Sequence, residues 1–336
     1  MRATITDIAR ESGVSTATVD RVLNDRPGVK TTMRVRVLSA AERLGYLLPA
    51  STSAPDPVAV SIVLPGGTNT FIALLAQHFE AIAGLRGDVR LDIHLIEGFN
   101  PDALAAKLDE LQGRTDAIGV IALDHPTVRE ALRAVAVAGT PVVTLVSDIS
   151  NVPRLDYIGI DNRAAGRLAG HLLGRLIGPC EGQVALFAGS ISYRGHEERE
   201  MGLRHVLAED FPSLKIVEFC ESHDDAERTY HDARAMLERF DSLAGIYNIG
   251  AGNRGIARAL EEAGRDRSVV YVGHELTPHT RRFLVSGTMD AVIDQNPRVE
   301  ARDALERLVR AVHGTPGHPA PPVRIQAIFK ENIPCV

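Results

Sequence analysis

The sequence predicts two structural regimes in one chain: an N-terminal all-α head built on a helix-turn-helix, then an α/β body of two lobes with parallel sheets. Three observations carry this. Apolar residues in the first 48 positions recur at three- and four-residue spacing, the period of a helix. From Val58 onward, short β-branched runs alternate with helical stretches, the pattern of parallel strands covered on both faces. Between the two lies "LLPASTSAPDPVAVS", whose Pro, Ser and Ala content reads as a linker. At 336 residues the chain is too long for one small core. The expected boundaries are 1–48 for the head, 49–57 for the linker and 58–333 for the body. Within the body, the first lobe takes about 58–160 with 295–320, and the second about 162–290 with 321–333.

In the head, "TDIARESGVSTATVDRVLND" reads as two short helices about a tight turn. Thr6 is expected to cap the first helix, which buries Ile8 and Ala9. Gly13 permits a positive φ, Val14 plugs the core and Ser15 caps the second helix. Val19, Val22 and Leu23 then face inward, leaving Thr16, Ala17 and Arg21 outward. A third helix, roughly residues 32–44, is expected to present Val35, Leu38, Ala41 and Leu44 to the same core. A second helix with small residues at its start is shaped to enter a major groove.

Charge agrees with such a partner. Eight Lys or Arg against five acids give residues 1–48 a net +3, which leaves −9 for the remainder of a chain whose total is −6. A basic head on an acidic body confines any polyanion contact to one end.

The ordered run "DIA…GVS…ATV.RVLN" with its trailing "RVL..A..LGY" resembles the headpiece of the lactose/galactose repressor (LacI-type) family. The resemblance implies a double-stranded DNA partner. Thr16, Ala17 and Arg21 fall where that family reads base edges, with Arg21 placed for a bidentate contact to guanine. Ser15, Thr18, Asn24 and Thr32 match positions that touch phosphates and set register. Asp20 stands where serine is usual and either orients Arg21 or accepts from a cytosine amino group. In the linker the family's hinge helix of Ala-x-x-Leu pattern is missing, and Pro55 and Pro57 oppose it; Leu47 or Leu48 remains as a minor-groove wedge.

The body's strand-like runs are "VAVSIVLP", "RLDIHLIE", "AIGVIAL", "PVVTLV" and "YIGID", then "QVALFAG", "KIVEFCE", "AGIYNIG", "VVYVGHE" and "MDAVID". Two sets of strands imply two lobes with a ligand between them at the carboxyl ends. This body resembles the periplasmic sugar-binding-protein fold (type I) that the same family uses for effector binding. The resemblance places Asn69 and Phe71 ("TNTFI"), Asp124 at the end of "GVIALD", and Arg199 in an R-x-x-G helix start on the effector. Asn248, Glu275 and Gln295 occupy the remaining strand ends. Asp148, Asp161 and Asn162 read equally as caps or hinge bonds. A sugar or polyol is the implied ligand.

"YNIGAGNRGIARAL" also holds Gly250-x-Gly252-x-x-Gly255, the spacing of a dinucleotide turn, followed by "VVYVGHE" ending in Glu275. This leaves open an alternative, an NAD(H)-binding redox sensor or dehydrogenase. Against it, the turn lies late in the second lobe, and His274 and Glu275, adjacent in a strand, would point to opposite faces. "AGSIS" is no nucleophile elbow, and the twelve histidines show no H-E-x-x-H spacing. No catalytic residue, metal or cofactor is expected on the main reading. Cys180, Cys220 and Cys335 are widely separated and read as buried small apolar side chains. The charged N-terminus "MRATITDIARE" lacks the apolar core of a secretory signal, and no run reaches membrane-span length, so a cytoplasmic protein is expected. A head this small binds tightly in pairs, which implies a homodimer on a palindromic operator.

Overall fold

A computed structural model describes residues 3–24, 26, 28–46, 56–315 and 323–334, and the chain divides into two compact units at Pro57/Val58. Leu47, Leu48 and Cys335 lie outside the described residues.

The first unit holds α1 (Ile5–Ser12), α2 (Thr16–Leu23) and α3 (Thr31–Arg43). Thr4, not Thr6, caps α1: its hydroxyl accepts from the Asp7 amide while the Asp7 carboxylate accepts from the Thr4 amide. The reciprocal bond needs an acid three residues on, and Asp7 is three from Thr4, whereas Ala9 is three from Thr6. Gly13 closes α1 at φ 67°, a left-handed C-cap, and Ser15 accepts from the Thr18 amide to start α2. Ile8, Ala9, Val19 and Val22 meet Val37, Ala40 and Ala41 in the core. The expected phase of α3 was wrong in part. Val35 is 58% exposed and Val37 is fully buried, while Ala41 is buried and Leu38 and Leu44 pack at the core's edge. Position 35 to 44 offered apolar residues on two faces, and the angle at which α1 and α2 receive the helix selects one of them.

The second unit opens with β1 (Val58–Pro65), α4 (Thr70–Gly84), β2 (Val89–Ile96), α5 (Pro101–Leu111), β3 (Ala117–Val120), α6 (Pro126–Val137), β4 (Val142–Leu145) and β5 (Asp156–Ile158). It continues with α7 (Asn162–Ile177), β6 (Gly182–Ala188), α8 (Arg194–Asp210), β7 (Leu214–Glu221), α9 (Ala226–Arg239), β8 (Leu243–Asn248), α10 (Asn253–Glu262) and β9 (Val270–His274). It ends with α11 (Pro278–Ser286), β10 (Ala291–Asp294), α12 (Pro297–Val312) and β11 (Gln326–Ile328). Two sheets result, ordered β2-β1-β3-β4-β5 and β11-β10-β9-β8-β6-β7. Among the described residues all pairs are parallel except β10 with β11, an antiparallel strand of three residues, too short for the alternation pattern to reveal. Central strands such as β1 are buried along nearly their whole length, as parallel strands covered by helices must be.

Each sheet has a point where connections diverge: between β1 and β3 in the first, between β6 and β8 in the second. Loops leaving such a point splay apart and open a crevice at the strand ends. α12 returns to pack on α4, β1 and β3, so the chain crosses between lobes after β10. α7 and α8 pack closely because glycines remove side chains from their contact: a Cβ on Gly166 would lie 1.9 Å from the Arg199 carbonyl oxygen, and one on Gly202 would lie 2.2 Å from that of Arg163. Among the described residues no helix is long and apolar enough to cross a membrane. Cys180 is exposed and Cys220 half-buried, so the expectation of buried cysteines fails at Cys180, which lies in the turn between α7 and β6 instead of in an element.

Candidate functional site

On the head, Thr16, Ala17 and Arg21 form the exposed face of α2, with Thr32 exposed in the first turn of α3. The Ser15 hydroxyl is shared between the Thr18 amide and, at 2.9 Å, the Thr18 hydroxyl. Asp20 does not engage Arg21. Its carboxylate accepts from Asn24 Nδ2 at 2.8 Å and from Arg26 Nη1 at 3.3 Å, so it ties down the end of α2. Asn24 adds a second bond to the Asp20 carbonyl, 3.0 Å away. The expected orientation of Arg21 by Asp20 is thus replaced by this local use, because Asn24 lies one helical turn beyond it. Arg21 forms no ion pair among the described residues and keeps its guanidinium outward.

In the second unit the ends of both sheets enclose a cavity of about 110 Å³. Asn69, Phe71, Arg199, Glu275 and Gln295 all line it. Asn69 comes from the first sheet's divergence point, where it caps α4 by accepting from the Phe71 amide at 3.0 Å. Arg199 projects from α8 and is only 4% exposed. Its Nε donates to Asn162 Oδ1 at 2.7 Å and its Nη1 to the Ile249 carbonyl at 2.9 Å. The R-x-x-G spacing thereby has two causes: Arg199 enters the cavity, and Gly202 lets α7 approach.

Two expected contacts are absent from the lining. Asp124 is consumed beside it, accepting from Arg129 Nε at 2.7 Å and Ser150 Oγ at 2.6 Å. Asn248 points into the loop after β8, donating to the Ala251 carbonyl and to Asn253 Oδ1, so that the next residues reach the cavity instead. A strand end places a residue near a crevice; local donors and acceptors then decide whether its side chain is free. Asp161 caps α7, Asp148 accepts from Thr144 and pairs with Arg154, and Asn162 carries the hydrogen bond to Arg199.

Glu275 also corrects the sequence reading. β9 ends at His274, and Glu275 turns out of the strand at φ 69°, so both side chains line one cavity. A non-glycine residue in that region costs about 1–3 kcal/mol and persists where its surroundings over-determine it. Here Gln295 Nε2 donates to Glu275 Oε1 at 2.6 Å, while Glu275 Oε2 and Gln295 Oε1 are buried without a partner. Burial pushes the Glu275 carboxyl up to about 8, helped by the neighbouring Asp294 and opposed by Arg199.

A raised carboxyl favours the folded state while protonated, so its contribution is full below the ordinary 4.5 and is lost as pH climbs towards about 8. Glu275→Gln is therefore expected to melt increasingly above the parent chain across that window. Parallel lines of Tm against pH would remove Glu275 from the account.

Sequence reasoning missed Asp224. It lies in the β7–α9 loop at φ 57°, outside any periodic pattern. Its carboxylate accepts from Asn69 Nδ2 and from the Ala251 amide, each at 2.9 Å, and so ties the first lobe to the second. Ser147 Oγ accepts from the Gly195 amide at 3.1 Å in a further contact between lobes. His196, held down to about 4 by burial, and His274, whose Nε2 lies 2.7 Å from the Tyr247 hydroxyl, complete a neutral wall.

The glycine spacing has a packing cause. A Cβ on Gly255 would meet the Ala226 carbonyl at 2.2 Å, and one on Gly252 would meet the Thr229 hydroxyl at 2.5 Å. Both residues seat α10 against α9. Gly250 passes under Gly189 and Asp224 for the same reason of space. The nicotinamide alternative rested on this spacing and finds no support once helix packing accounts for it.

Residues 4–48 match the family model of bacterial regulatory proteins, lacI family, and residues 60–316 match that of a periplasmic binding protein domain. Catabolite control protein A of Priestia megaterium is 31% identical over 169 residues, 49% of each chain. The HTH-type transcriptional regulator MalR of Streptomyces coelicolor is 33% identical over 172 residues, 50% of this chain and 49% of that one. The chain thus spans about half the length of the curated relatives it matches. Among solved structures, GanP, a glucose-galactose binding protein from Geobacillus stearothermophilus, superposes with a TM-score of 0.75 at 23% identity, over 83% of this chain and 99% of that one. A solute binding protein from Burkholderia graminis in complex with D-arabinose gives 0.77 at 22%, over 82% and 96%. At these identities the likeness is one of fold.

Proposed function

The chain belongs to the lacI family of bacterial regulatory proteins and carries a periplasmic-binding-protein domain behind its head, and from that premise we propose a cytoplasmic transcriptional repressor controlled by a small polar effector, a sugar or polyol. The observation that carries the reading is the cavity to which both lobes contribute polar side chains, Asn69 from one and Arg199 and Glu275 from the other. In this proposal two heads of a homodimer bind a palindromic operator, with Thr16, Ala17 and Arg21 facing base edges and Ser15, Thr18, Asn24 and Thr32 near phosphates. The effector seats against Asn69, Phe71, Arg199, Glu275 and Gln295. No catalytic step is assigned to any of them.

The volume sets a mechanical condition. A dry cavity of roughly 150 Å³ holds a benzene ring. At about 110 Å³ this one is tight for a hexose, and in this proposal the lobes part to admit it, which breaks the Asp224 bond to Asn69 that crosses between them. Ligand binding thus selects a different lobe angle from the one described, and a changed angle across a dimer alters the spacing of the heads. Fluorescence anisotropy on the chain's own promoter, with and without sugars, tests this; affinity that never responds to any of them would sink it.

Arg21→Ala should lower preference for the operator over random DNA by about ten- to one-hundred-fold, one bidentate guanine contact being worth about 1–3 kcal/mol. Effector binding should be unchanged, and the same anisotropy measurement with a scrambled duplex checks the ratio.

A further inference from the structure

The chain crosses from the second lobe to the first between two acids. Asp294 ends β10, and Glu300 sits in the first turn of α12, which packs on the first lobe. Asp294 is stitched to the backbone: its Oδ1 accepts from the Leu276 amide at 2.9 Å and its Oδ2 from the Asn296 amide at 3.0 Å. Asn296 itself stands at φ 57°, the bend by which the chain leaves the strand. Glu300 has no such support. It is fully buried, and neither of its carboxyl oxygens has a hydrogen-bond partner among the described residues. An acid in the first turn of a helix is ordinarily favoured in its charged form by the amides there. Burial outweighs that field here, and Glu275 and Asp294 add like charge, so the Glu300 carboxyl stands well above the ordinary carboxylate range.

The other groups around it do little to hold a negative charge. Arg199 of α8 is the cation that opposes the acids, yet its own bonds go to Asn162 and the Ile249 carbonyl. β5 brings Tyr157, whose hydroxyl lies 3.0 Å from the Val146 and Ile160 carbonyls, and Asp156, which pairs with Arg307. α4 brings an exposed Glu80 and His78, whose imidazole is held low by burial and then by Arg298. β1, β3 and β4 carry no ionisable residue, and Asp303 on α12 itself pairs with Arg302. Glu300 does not line the cavity. It belongs to the crossing between the lobes.

Resting on the lobe movement proposed above, we propose that Glu300 is a proton switch on this crossing: it is sealed in with its proton at the lobe angle described, and it gives that proton to water when the lobes part. A carboxylate without donors is costly to bury, whereas the protonated acid is tolerated and the hydrated anion is the ordinary state at neutral pH. The parted form thus binds one proton fewer, so acid favours the described angle and alkali the parted one. Above the ordinary 4.5 and below the raised value of Glu300, one proton changes the ratio of the two forms about ten-fold per pH unit. An effector that selects the parted form then binds more tightly as pH rises.

The chain contains no tryptophan, so Phe99→Trp supplies a single reporter. Phe99 follows β2 in the first lobe and packs edge-on against Tyr193 and His223 of the second, with ring centroids 5.5 and 5.2 Å away. The test follows indole emission of the full chain carrying this substitution from about pH 5 to 8, alone and combined with Glu300→Gln. Emission is expected to move to longer wavelength as pH rises and the lobes part. Glu300→Gln, whose amide never ionises, is expected to keep the short-wavelength form across the range. Glu300→Met, apolar and of similar volume, is expected to do the same, and it serves where the glutamine variant does not fold. A shift that persists unchanged in these variants belongs to another group, such as His223 beside the reporter, and overturns the inference. A trace that is flat with pH overturns it too. If sugars move such a flat emission, the lobe movement stands without Glu300; if nothing moves it, the lobe movement falls as well.

Discussion

Gly166→Ala is expected to lower the stability of the second unit by about 3 kcal/mol or more, although alanine is the better helix former by roughly 1 kcal/mol. The added Cβ would stand 1.9 Å from the Arg199 carbonyl oxygen, with the Arg199 carbonyl carbon and Cα behind it at 2.6 and 2.8 Å. All three are backbone, so no side chain can swing away, and α7 and α8 must separate. That movement also carries Arg199 out of register with Asn162 and Ile249, and ligand affinity should fall together with Tm. A loss of roughly 5–10 °C in a thermal melt is the expected size for a unit of this length. Gly84→Ala is the matched control. It ends α4 with no atom within 4 Å of a new Cβ, so it should leave Tm unchanged or raise it slightly. Equal behaviour of the two variants would mean that the α7–α8 contact is looser than described.

Arg199→Ala is expected to reduce effector affinity by about a hundred-fold or more, the usual cost of truncating one partner of a buried, charged hydrogen-bond network. It also strands Asn162 Oδ1 and the Ile249 carbonyl, each worth about 1–3 kcal/mol when left buried and unpaired. Melting should therefore fall alongside binding. Operator binding without effector should persist, because the head folds on its own core of Ile8, Val19, Val22 and Val37. Titration calorimetry and promoter anisotropy on the same preparation separate these effects. Arg199→Lys should recover little, since an ammonium cannot reproduce two fixed, divergent guanidinium bonds. Retained effector response in Arg199→Ala would remove this residue from the proposed site.

The helix-turn-helix was legible because its signals are short-range. Gly13 and Ser15 act on the residues beside them, and Val19 and Val22 meet the core through a three-residue spacing that any helix imposes. The strands of the body were legible for a similar reason, their apolar runs being long enough to exclude solvent-exposed alternatives. α3 shows the limit: Val35 and Val37 are equally apolar, and only contact with α1 and α2 chose between them.

The cavity was legible as a set of strand ends and not as a set of free side chains. Asn69, Phe71, Arg199, Glu275 and Gln295 reach it, while Asp124 and Asn248 are spent on neighbours. Asp224, in a left-handed loop residue with no periodic company, had no signal to be read. The glycines of the α10 turn left a ligand motif open as an alternative, because spacing does not reveal what a missing Cβ makes room for. Sequence alone determined which residues could be helix, strand, cap or core, since those preferences act over a few bonds. Tertiary structure alone decided which polar groups remained unpaired inside the cavity, because hydrogen-bond partners there come from residues up to 156 positions apart.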